Sequence, residues 1–90
     1  MDEGRFDRPV RVEIGGPGKI RAVTSTREAA ECLLYRWPSD GGKKHLAARR
    51  ACMQVLEGVK QAIVARRAFE AAAREADILL DPPKPPPKRK

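Results

Sequence analysis

The sequence predicts an α+β fold: an N-terminal antiparallel β-hairpin packed on two to three α-helices, with a short third strand or docked end at 78–80 and a disordered Pro/Lys-rich tail. Three observations carry this. Val10-Arg11-Val12-Glu13-Ile14 alternates apolar and charged residues, the period of a strand with one buried face. Ser25-Thr26-Arg27-Glu28 has the spacing of a helix capping box. From Lys43 to Asp77 apolar residues recur at three- and four-residue steps, the period of a helix. Residues 1–8 are read as a loose N-terminal lead, 9–80 as one small domain and 81–90 as the tail.

The hairpin comes first. Gly15-Gly16-Pro17-Gly18 suits a four-residue loop, because glycine supplies positive φ and proline fixes its own. The returning strand, Lys19-Ile20-Arg21-Ala22-Val23, is expected to turn Ile20 and Ala22 toward the core. A two-stranded ribbon is marginal alone and needs helices or another strand against it.

In the first helix the Ser25 hydroxyl should accept from the Glu28 amide while Glu28 reaches back to the amide of Ser25. Ala29, Ala30, Leu33, Leu34 and Trp37 form its apolar stripe, and Pro38 ends it because the residue before proline is driven out of helical angles. Ser39-Asp40-Gly41-Gly42 connects onward. On the next helix Ala48, Ala51, Cys52, Val55, Leu56 and Val59 share one side. Beyond Gly58 the stripe rotates to Ala62, Ala65, Phe69, Ala72, Ala73 and Ala76. A break at Gly58, with helices over 43–57 and 60–77, explains the rotation; one long kinked helix is the alternative. The tail, 82–90, is too proline-rich for a helix and favours extended polyproline geometry.

Composition bounds the function. Ninety residues carry 19 Lys+Arg against 12 Asp+Glu, a net charge of +7. Close to half of that excess sits in the last ten residues, where Lys84, Lys88, Arg89 and Lys90 face only Asp81. No apolar run approaches the roughly 20 residues of a membrane span, and no signal-like segment opens the chain. A cytoplasmic protein without membrane contact is the expectation.

The chemistry-bearing residues are few. His45 is the one histidine, next to Lys43 and Lys44 and with only Asp40 nearby to orient it, so a half-exposed helix-start histidine is expected rather than a general base. An enzyme built on His45, Cys52 and Tyr35 is the weaker reading. Cys32 and Cys52 lie twenty positions apart without metal-ligand spacing and on the apolar stripes, so both are expected as buried free thiols. No motif for a nucleotide, cofactor or small-molecule ligand is present. Catalytic, cofactor and metal residues are therefore all read as none.

Two binding classes remain. An alanine-rich core buries little area per residue, so self-association, as a homodimer, is the favoured means of supplementing it. The alternative is a nucleic-acid accessory protein contacting phosphates through Arg49, Arg50, Arg66, Arg67, Lys88, Arg89 and Lys90, with weak nonspecific contact through the tail. Against it, Glu57, Glu70, Glu75 and Asp77 interleave with the cations, and aromatics are sparse.

One resemblance is specific in the order and spacing of its residues. Glu28-Ala29, Leu33-Leu34, Trp37-Pro38, Gly41, His45, Ala48, Cys52, Leu56 to Gly58, Ala65-Arg66, Ala68-Phe69, Ala72-Ala73, Glu75-Ala76 and Ile78 resemble the domain of unknown function 982, short proteins mainly of rhizobia and related alphaproteobacteria. Pro9-Val10-Arg11-Val12 and the glycine turn look like its opening hairpin. The likeness covers about 6–80. It implies a small α+β fold and no assigned activity, and it supports the break after Gly58. Trp37, Pro38, His45, Cys52, Arg66 and Phe69 match the pattern, and fold-keeping accounts for most of them. Trp37 would cover the open end of the helix layer, with Phe69 at its centre. Arg66, beside the apolar Ala65 and Phe69, is expected to meet a buried carboxylate such as Glu28 or Glu31. The tail lies outside the likeness.

Overall fold

A computed structural model describes residues 4–38 and 42–80. Strand β1 (Arg5–Glu13) pairs antiparallel with β2 (Ile20–Ser25). Helix α1 (Thr26–Glu31) follows and widens into a π-helical turn over Cys32–Arg36. Helices α2 (Lys43–Leu56) and α3 (Ala62–Glu75) form an antiparallel hairpin. Helix α3 packs on β1, α1 on β2, and α2 lies outermost against α1 and α3.

Residues 5–8, expected in a loose lead, belong to β1. Three extra residues separate Val10 from Arg5 on β1 relative to Val23 and Ser25 on β2, so the strand bulges at 6–9. Pro9 lacks the amide that a regular ladder would use and falls within the bulge. The bulge turns Phe6 into the core and directs Asp7 toward α3. Before it, Gly4 has its carbonyl bound by both the amide (2.8 Å) and the hydroxyl (2.7 Å) of the fully buried Thr26.

The inner face of β2 is the reverse of the expected one. Ile20 is 63% exposed and Ala22 is exposed, whereas Val23 and Ser25 are buried. The loop length decides this. The Ile14 amide bonds the Lys19 carbonyl at 2.9 Å, so four loop residues place 19, 21 and 23 opposite 14, 12 and 10. Since side chains alternate, that register overrides the apolarity of Ile20 and Ala22.

The third-strand reading of 78–80 holds as a single bridge. Leu79 stands opposite Val12, with Glu13 N donating to the Ile78 carbonyl and Leu80 N to the Arg11 carbonyl, each at 2.9 Å. This segment covers the outer edge of β1, so β2 is the edge left open among the described residues.

Both helix breaks have a stated geometry. At Gly58 (φ +85°) the amides of Gly58 and Val59 bond the carbonyls of Val55 and Gln54, a Schellman cap, so two helices exist and not one kinked helix. The same motif ends α3: Asp77 and Ile78 donate to Arg74 and Ala73, with Ile78 buried against the helix end. Here the left-handed position is held by Asp77 (φ +63°), whose charge also opposes the helix dipole. Asp77→Gly should therefore stabilise the fold by about 0.5–1 kcal/mol, raising Tm by roughly 3–6 °C in calorimetry. A lowered Tm would mean the carboxylate has a compensating partner.

The helical stripes are largely buried as expected, with exceptions at their margins. Leu34 is exposed because it lies about 140° around from Ala29, outside the arc of Ala29, Cys32 and Leu33. Leu56 and Val59 are exposed too, since α2 ends at Leu56 and the chain there has passed the edge of the core. The expected cap forms, with Glu28 N donating to Ser25 Oγ at 3.2 Å. The Glu28 carboxylate, however, binds the amide and hydroxyl of Thr24 (2.8 and 3.0 Å) rather than the amide of Ser25. Strand alternation turns the Thr24 amide toward the open edge and that of Ser25 toward β1. The Thr24 amide is also the largest cause holding the Glu28 carboxyl below its usual range.

Candidate interaction surface

The residues that chemistry would need are mostly committed to the core. His45 is buried rather than half-exposed, and Nε2 donates to the Leu33 carbonyl at 2.8 Å. A carbonyl can only accept, so Nε2 carries the proton. The imidazole thereby satisfies a carbonyl at the end of the first helix, where the intrahelical ladder has run out. Trp37, half-buried, places its ring 5.5 Å from His45 and 5.8 Å from Phe69, the latter edge-on. Trp37 has the extended angles that a residue before Pro38 requires. Tyr35 is 79% exposed, so it does not join His45 and Cys52 in one site.

Cys32 and Cys52 are both free and buried. Burial pushes the Cys32 thiol up and carries that of Cys52 up to about 12. A thiol whose pKa is higher folded than unfolded lends stability below the unfolded value, and that stability is lost as pH rises toward the folded one. Urea denaturation should accordingly show stability falling from about pH 9 upward, and a Cys32→Ser/Cys52→Ser pair should flatten that limb. An equally steep alkaline fall without the thiols would assign it to other groups. Among the described residues no three His, Cys, Asp or Glu side chains converge to hold a metal ion.

Arg66 is 6% exposed, which removes it from the phosphate contacts expected of it. Its partners are Asp7 and Glu70, not Glu28 or Glu31. Nη1 donates to Glu70 Oε2 at 3.0 Å, one turn along α3. Nε lies 2.9 Å from Asp7 Oδ1 but is not aimed along a hydrogen bond, so this is an ion contact across to the β1 bulge. Asp7 lies 59 positions from Arg66 in the chain, and only the β1 bulge brings the two together, so no local signal in the sequence pairs them. Arg49, Arg50 and Arg67 are exposed. Lys88, Arg89 and Lys90 lie outside the described residues.

The surface instead carries large apolar side chains. Ile20, Leu34, Tyr35, Leu46, Met53, Leu56, Val59, Ile63 and Val64 are each at least a third exposed. Five of them fall between Met53 and Val64, around the α2–α3 turn. Ile20 lies on β2, the open edge. The outward amides there are those of 20, 22 and 24, of which Thr24 N is taken by Glu28. No helix among the described residues is long and apolar enough to cross a membrane.

The family model for a protein of unknown function, DUF982, matches residues 8–80. The chain belongs to the DUF982 family. Among solved structures it is similar to the NMR structure of the Agrobacterium tumefaciens protein Atu1219, at 29% identity and a TM-score of 0.75. That likeness covers 99% of this chain and 88% of the other. No curated protein matches. Of the residues that carry the resemblance, Trp37, His45, Cys52, Arg66 and Phe69 fall on buried or half-buried positions, and Pro38 is exposed.

Proposed function

We propose that this DUF982 chain is a non-enzymatic interaction module of the cytoplasm that self-associates. The observation that supports it is the set of exposed large apolar side chains gathered at the α2–α3 turn, together with the open β2 edge. Large apolar side chains exposed close together in the chain are what interaction sites use, and an open edge invites pairing. A small core also has stability to gain from association. Light scattering on the full chain against concentration tests this: the mass should climb from 10.0 kDa toward twice that value. A constant 10.0 kDa at the highest concentration would remove the self-association.

A second reading, contact with nucleic acid, draws on the net charge of +7 and on exposed Arg49, Arg50 and Arg67. It predicts DNA binding that weakens steeply with salt and falls further in Arg49→Glu/Arg50→Glu. Binding indifferent to those substitutions would leave no role for the helix face.

A further inference from the structure

The apolar surface at the α2–α3 turn has a charge property that bears on what covers it. Met53 and Leu56 close α2, Val59 lies in the connection, and Ile63 and Val64 open α3. Between 53 and 64 the only charged residues are Glu57 and Lys60, both exposed. This tip is electrically balanced on a chain of +7. The exposed charges that flank it on the two helices are cationic: Arg49 and Arg50 precede it on α2, and Arg67 follows it on α3.

Net charge disfavours the approach of two copies over most of such a surface. At the tip that repulsion is least, and the side chains that would lose contact with water are apolar. A nucleic acid or an anionic bilayer finds no excess of cations there. A two-fold contact also repeats every interaction twice, so it needs a patch that complements itself. One acid and one base three positions apart meet that requirement.

We propose that the occupant of this tip is a second copy of the chain, joined tip to tip about a two-fold axis with Glu57 of each copy facing Lys60 of the other. The proposal rests on the self-association reading above and gives it a location. Five partly exposed side chains supply less than the roughly 800 Å² per partner of a standard interface, so the dimer is weak, with Kd on the order of tens of micromolar.

Sedimentation equilibrium on the full chain, from about 5 to about 500 µM, brackets that constant. Val59→Lys should weaken the dimer at least tenfold, roughly the effect of placing a charge in a small apolar contact. Glu57→Lys and Lys60→Glu should each weaken it by about tenfold, and the double exchange should return it to within about threefold of the parent. All three positions are exposed, so the folds should survive, and melts of each variant check this. A dimer unchanged by Val59→Lys, or not restored by the double exchange, overturns the tip proposal. If Ala22→Pro then abolishes that dimer, self-association stands and its seat is the β2 edge. A chain that stays monomeric throughout ends both.

Discussion

Phe69→Ala should leave the domain largely unfolded at 25 °C. Among the described residues Phe69 is the largest fully buried side chain, at 0% exposure, on the face of α3 that packs toward the other elements. Removing a buried phenylalanine costs about 3–5 kcal/mol, from lost transfer energy and the cavity left behind. A core of this size supplies a net stability of about the same amount. Its neighbours include Ala65, Ala72 and Ala73, whose short side chains cannot swing in to fill the space. Trp37 rests edge-on against the ring, so its fluorescence should shift to the red and the near-ultraviolet dichroism should collapse with the fold. Phe69→Leu, which keeps most of the volume, should cost about 1–1.5 kcal/mol and preserve a cooperative urea transition. A Phe69→Ala transition within about 0.5 M urea of the parent would show that the core has another centre.

Gly4→Ala should destabilise by about 2–4 kcal/mol, through overpacking of the core and a left-handed backbone at a residue that would carry Cβ. At φ +67° an added Cβ would lie 2.7 Å from Thr26 Cβ and 2.8 Å from Val55 Cγ1. These belong to buried side chains of two different helices, so relief requires the start of β1 to lift away. Lifting it would also break the two hydrogen bonds that Thr26 makes to the Gly4 carbonyl. Gly58→Ala is the control. Its φ is +85°, yet nothing lies within 4 Å of the added Cβ, so only the backbone penalty of about 1 kcal/mol remains. Equal losses at the two positions, read from urea midpoints, would show that the packing around Gly4 is looser than described.

The contrast between these two positions tells where the sequence speaks and where it does not. Phe69 is legible because it sits in a periodic stripe of small residues, and Gly58 because the stripe changes phase there. Gly4 stands in a stretch with no period, and only the arrival of Thr26 and Val55 makes its missing side chain necessary. Arg66 follows the same logic. Its place beside the apolar stripe of Ala65 and Phe69 marks it as unusual, but its carboxylates come from the β1 bulge and the next turn of its own helix. His45, read as half-exposed from its lysine neighbours, is buried because a helix-end carbonyl and the Trp37 ring meet it in space.

From the chain of letters alone come the α+β class, the hairpin and its four-residue loop, the capped first helix, the division at Gly58 and the burial of both thiols. Each depends on neighbours within a few positions: alternation, helical period, proline and glycine stereochemistry. The tertiary structure decided which face of β2 looks inward, which carboxylates hold Arg66, that the strand starts at Arg5, and which apolar residues stay in solvent. Those outcomes depend on register and on where one element ends relative to another. A side chain such as Leu56 or Val59 has the pattern of a core residue, and only the edge of the packed layer beneath it determines that water is its neighbour.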